Sequence, residues 1–110
     1  MAYDEALAER IREVLGDGPD ITERKMFGGI AFMSRGNMVC GIVRNDLMLR
    51  VGADAHEEAL AEAHVRPMDF AGRPMKGMVY VSPAGLQGDA LQYWVERGLR
   101  FTQSLPPKKR

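Results

Sequence analysis

Residues 22–51 read TERKMFGGIAFMSRGNMVCGIVRNDLMLRV, and this stretch decides the fold. Its apolar residues recur at a spacing of about two, the period of a strand, whose successive side chains point to opposite faces. Turn residues break it at short, regular intervals, giving strand candidates Thr22 to Phe27, Gly29 to Ser34, Asn37 to Val43 and Asp46 to Val51. Arg35-Gly36 and Arg44-Asn45 are the hairpin turns, since Gly and Asn tolerate the positive φ that such turns demand. Links this short join antiparallel neighbours. In the last strand Leu47, Leu49 and Val51 share one face and leave Met48 and Arg50 on the other. The paired Gly28-Gly29 match neither Gly-x-Gly-x-x-Gly nor a P-loop, so a bend or bulge within a strand is expected there.

Working outward, the period lengthens on both sides. Leu7, Ile11, Val14 and Leu15 recur at three and four, which predicts an amphipathic helix stopped by Gly16 and Gly18-Pro19. Downstream, Ala53 to His64 reads as a weaker, peripheral helix with Asp54 and Glu57 spaced as a capping box. Strand character returns in Arg66 to Phe70 and Met75 to Ser82, joined by residues 71–74. A final helix runs from an N-cap at Asp89 to Leu105, with the stripe Leu91, Trp94, Val95, Leu99, Thr102 and Leu105, and ends at Pro106. The order is α-β-β-β-β-α-β-β-α. The expected fold is α+β, an antiparallel sheet with helices packed on one face, because the stripes of the first and last helices need the same apolar layer. One domain spans residues 1–110, with a short basic tail at 106–110 that includes Lys108, Lys109 and Arg110.

Composition removes several function classes. Fifteen basic against fifteen acidic side chains leave no overall field to attract nucleic acid. Cys40 is the sole cysteine, so no internal disulfide framework exists. The acidic start, Met1-Ala2-Tyr3-Asp4-Glu5, is unlike a signal peptide, and no apolar run is long enough to cross a bilayer. A cytoplasmic location, away from the membrane, is the expectation.

No residue set assembles into a catalytic or cofactor-binding constellation. His56 and His64, eight apart on one expected helix, would lie roughly 12 Å apart along its axis, too far to share a metal. Cys40 sits mid-strand among apolar residues, as an inert buried thiol would. Seven of the eight methionines fall between Met26 and Met78. They suit core filling, and Met48 and Met78, out of phase with their core-facing neighbours, also suit an adaptable contact surface. Charges placed within or beside apolar strands give the remaining binding candidates: Lys25, Arg50, Asp69, Arg73 and Lys76, with Arg66 nearby. Arg50 and Lys76 lining an anion-binding face, with Asp69 as counter-ion, is the arrangement that would mark a ligand site.

Lys25-Met26-Phe27-Gly28-Gly29-Ile30-Ala31-Phe32-Met33, Gly36-Asn37-Met38, Leu47-Met48-Leu49-Arg50-Val51, Pro67-Met68-Asp69-Phe70 and Gly72-Arg73-Pro74-Met75-Lys76-Gly77 together resemble the N-terminal domain of the TfoX/Sxy family, as does the final helix with its Pro-Pro-Lys ending. The resemblance implies an α+β domain of the secretion-chaperone-like kind, without established catalytic residues to carry over. The name-giving members are regulators of natural competence that act with the transcription machinery and carry a second, helical C-terminal domain. This chain ends at Arg110, which makes a stand-alone module the expectation.

The expected function is therefore a small regulatory or binding domain that works by protein contacts, self-associating, with no enzymatic activity and no cofactor or metal. Its partner is not named by the sequence, and direct DNA binding is disfavoured. The alternative is a small-molecule or anion-binding enzyme using Arg50, Lys76 and Asp69, with Cys40 as nucleophile.

Overall fold

Period two in residues 22–51 becomes four hairpin-linked strands: β1 (Ile21–Met26), β2 (Gly29–Ser34), β3 (Asn37–Val43) and β4 (Asp46–Arg50). The computed structural model describes residues 3–16, 18, 20–26, 28–70 and 73–106. Two further strands, β5 (Val65–Phe70) and β6 (Arg73–Val81), complete a six-stranded antiparallel sheet in the order β1-β2-β3-β4-β6-β5. β1 and β5 are thus the edges: the connection from β4 to β5 skips one strand position, and β6 returns into it to pair with both.

The turns explain the register. Arg35 and Gly36 both take positive φ, 52° and 84°, the pair of left-handed residues that a two-residue hairpin of matching twist requires. In the next turn the positive φ falls on Arg44 (59°) and not on Asn45. Arg44 is held there by the N-terminal segment, since its carbonyl accepts the Asp4 N–H and it bridges to Tyr3. The glycine pair marks a turn and not a bulge: Met26 pairs with Gly29 to close a hairpin, and Gly28 lies in its loop at φ 75°. The bulge lies further on, where the register shifts between Phe32 and Met33 and leaves Val39 as the extra residue opposite.

Helix α1 (Glu5–Leu15) begins at Asp4, whose Oδ1 accepts the Leu7 N–H at 3.1 Å, a cap that the apolar spacing alone does not disclose. It ends at Gly16, as expected. The second helix is much shorter than 53–64. A single 3₁₀ turn (Ala53–Ala55) leads into α2 (His56–Leu60), and the chain has left the helix before His64, at φ 69°. The capping box does not form, because Asp54 lies inside that turn and Ala55 occupies the N-cap position. Nor is α2 merely peripheral: His56 is buried and its Nδ1 accepts the N–H of Gly77 on β6. Helix α3 (Ala90–Gln103) follows a 3₁₀ turn at Pro83–Leu86; Asp89 stands at its N-cap but its side chain makes no cap hydrogen bond.

All three helices pack on one side of the sheet. Leu7 and Ile11 of α1, Ala59 of α2 and Leu91, Trp94 and Val95 of α3 share one core with Phe32, Ile42, Leu47, Leu49, Val79 and Val81. α3 comes so close to β3 that a Cβ on Gly98 would stand 2.9 Å from the Val39 carbonyl oxygen. No helix among the described residues is long and apolar enough to cross a membrane.

Candidate functional site

Alternation places half of every strand on the face away from the helices, and the register shows what meets there. Arg24, Ala31, Gly41, Met48, Tyr80 and Arg66 form one transverse row across all six strands. Met78 stands opposite Arg50, and Met33 opposite Met38, on the same face. Here a second, smaller cluster forms from Met48, Met68 and Met78, with Met38, Val43 and Tyr80 packed against it. None of its members belongs to a helix.

Gly41 explains why this methionine floor is dense. A Cβ at Gly41 would lie 2.6 Å from Met48 Cε, so the Met48 side chain lies across the neighbouring strand in the space that a side chain at 41 would take. Glycine in mid-strand ordinarily weakens a sheet, and its presence here is a packing requirement. Met48 and Met78 are therefore only 3% and 6% exposed. They form the floor of the face and do not project from it, contrary to the contact role that their phase suggests. What stands accessible above the floor is Met33, Met38, Val43 and Tyr80, all half-buried, and the exposed Arg24. Beside Arg24 a hollow of about 260 Å³ opens, lined by Thr22, Glu23, Arg24, Met33 and Gly36.

The other end of the row is clamped. Arg66 Nη2 donates to Asp46 Oδ2 and its Nη1 to Ser82 Oγ, both at 2.8 Å, while the guanidinium lies 5.1 Å from the centre of the Tyr80 ring. These contacts tie β5 to β6 and to the start of β4. Tyr80 and Asp46 carry no sequence signal for this role, because the pairing of β6 with β4 is not written in either strand.

The anion-binding arrangement does not come together among the described residues. Arg50 directs its guanidinium to the Phe101 ring, 5.5 Å from its centre, where it has the character of a cation–π contact at the end of α3. Lys25 and Lys76 are exposed, Lys25 on the edge strand β1 opposite Ile30 and Lys76 just before the kink at Gly77 (φ 91°). The side chains of Asp69 and Arg73 lie outside the described residues, as do Lys108, Lys109 and Arg110 of the tail. The five ion pairs of the described residues involve Arg12, Arg66 and Arg97 and none of the candidates. Among the described residues no group of three His, Cys, Asp or Glu side chains could hold a metal ion.

Cys40 is wholly buried beside Phe32 and Leu49, its neighbours across the two adjoining strands. Loss of hydration for the thiolate pushes its thiol up to about 12, so it stays protonated and unreactive at neutral pH. The two histidines occupy different environments, one buried under β6 and one exposed in a turn, and share no helix.

With this geometry in place, the chain matches the family described as TfoX N-terminal domain over residues 13–102. It belongs to that family. The matched region begins near the end of α1 and ends within α3, so it takes in the whole sheet, α2 and nearly all of α3, but only the last residues of α1. No curated protein and no solved structure matches the chain. In this TfoX N-terminal domain the quoted Lys25-to-Met33 motif covers the end of β1, the turn that follows and most of β2, and Leu47 to Arg50 is the body of β4. The resemblance therefore rests largely on strands that build the sheet, not on a cluster of reactive groups.

Proposed function

We propose that this TfoX N-terminal domain is a non-catalytic regulatory module that engages another protein through the helix-free face of its sheet. The observation that carries the reading is the second apolar cluster. Met48, Met68 and Met78 are packed there with half-buried Met38, Val43 and Tyr80, and no described helix contributes to it. A sheet face that is apolar in its middle and polar at its ends suits a protein contact, and methionine adapts its shape to what is laid on it. Membership in the family supports a regulatory role. The enzymatic alternative lacks support, since the one thiol is sealed and Arg50 is turned to Phe101.

A photo-activatable side chain placed at Met33 and, separately, at Tyr93 on the helix layer tests this in living cells. Tyr93 is exposed and remote from the face in the sheet's layering, so it is the control. Protein adducts from position 33 and none above background from 93 are expected. Equal yields from the two positions would refute the assignment, and adducts between two copies of the chain would identify the partner as the protein itself.

A further inference from the structure

Overall neutrality conceals a separation of charge that the fold reveals. The helix-bearing segments, residues 4–15, 53–62 and 89–103, hold ten acidic and four basic side chains, whereas the strands and hairpins of residues 21–50 and 65–81 hold three acidic and eight basic. The helix layer is thus negative and the sheet positive. On the uncovered face, Arg24 and Arg66 stand at opposite ends of the transverse row, five strand spacings or roughly 24 Å apart. Asp46, the acidic side chain described on that face, is already engaged by Arg66, while Arg24 makes no ion pair among the described residues.

We propose that this face receives an acidic amphipathic helix from a partner protein. This rests on the protein-binding reading above and adds the chemistry of the partner. A sheet face whose strands are already paired offers side-chain packing and no backbone ladder, and the apolar stripe of a helix is what such a face commonly buries, as the other face of this sheet does three times. The stripe lies on Met33, Met38 and Val43, with one apolar side chain in the hollow beside Arg24. Carboxylates on its flank meet Arg24, while Arg66 at the far end of the row is already held by Asp46, and like-charged partners are repelled. A helix of about 18 residues is roughly 27 Å long, enough to reach from one arginine to the other. Nucleic acid fits the same charge less well. Its bases need free aromatic rings to stack on, and the aromatic residue described on this face, Tyr80, is covered by the Arg66 guanidinium.

The test uses the full chain and two synthetic helical peptides of about 18 residues with one apolar stripe in common, one bearing glutamates on its polar face and the other lysines. Amide chemical shifts are followed by NMR. The acidic peptide is expected to shift Thr22, Arg24, Met33, Met38 and Tyr80, to bind roughly tenfold more weakly to R24E, and to weaken as salt rises. R24E should unfold at the same temperature as the parent, because Arg24 is exposed and unpaired among the described residues. The lysine peptide should leave these amides unmoved. The proposal is overturned if millimolar acidic peptide shifts nothing on the face, if both peptides bind alike, if the shifts map to the helix layer, or if an oligodeoxynucleotide moves the same amides more tightly. Should the acidic peptide fail while cross-links from position 33 persist, the charge assignment falls and the protein-binding reading stands. Absence of both removes both.

Discussion

The contact between Met48 Cε and the empty side-chain position at Gly41 makes a quantitative claim about the second face. Met48→Ala removes three heavy atoms from a site only 3% exposed. Buried Met→Ala changes cost about 2–5 kcal/mol, and the low end applies here because half-buried neighbours such as Met38 and Tyr80 can close over the gap; we expect about 2 kcal/mol. For a domain of this size that lowers the melting temperature by roughly 8–15 °C. Gly41→Ala is also destabilising, because its Cβ would meet Met48 Cε at 2.6 Å and the Ile30 carbonyl oxygen at 2.8 Å. The two changes should not add. With Met48 shortened, the new methyl occupies the vacated space and only the Ile30 clash remains, which gives a coupling of about 1 kcal/mol in a double-mutant cycle. Urea unfolding followed by Trp94 fluorescence measures all four corners. A double mutant whose loss equals the sum of the single losses, within about 0.4 kcal/mol, would refute the packing argument.

Two further expectations concern pH. The Cys40 thiol stays protonated in the folded chain up to about 12, whereas in the unfolded chain it ionises near 8.5, so its contribution is complete below about pH 8.5 and declines as pH rises toward 12; subtracting the stability curve of Cys40→Ala should isolate this slope, and parallel curves would count against a sealed thiol. The Arg12 guanidinium donates to both carboxylate oxygens of Glu23, at 2.7 and 2.9 Å, and holds that carboxyl below its usual range. The resulting stability is present above about pH 4.3 and is lost as pH falls from there through the depressed value. Glu23→Gln should flatten this acid limb, and an unchanged limb would show that the pair does not link α1 to β1.

Much of the architecture is legible in one dimension because it depends on local spacing. The alternation in residues 22–51 and the two-residue links at 35–36 and 44–45 already require an antiparallel meander, since no longer path connects those strands. The stripes around Leu7 and Trp94 likewise require helices that share a core. The errors also have local causes. Asp54 and Glu57 have capping-box spacing, but the chain enters α2 through a 3₁₀ turn that moves the N-cap to Ala55. Gly28-Gly29 can signal a bulge or a turn, and only the partner strand decides between them.

The chain by itself determined the order of elements, the period of each and which residues on a strand share a face, because these follow from covalent geometry repeated along a few residues. Tertiary structure alone decided that β6 inserts between β4 and β5, that Met48 fills the space above Gly41, and that Arg24 and Arg66 end up at the two ends of one row. Those relations join residues dozens of positions apart, and they exist only once six strands have been paired and one side of the sheet has been given to the helices.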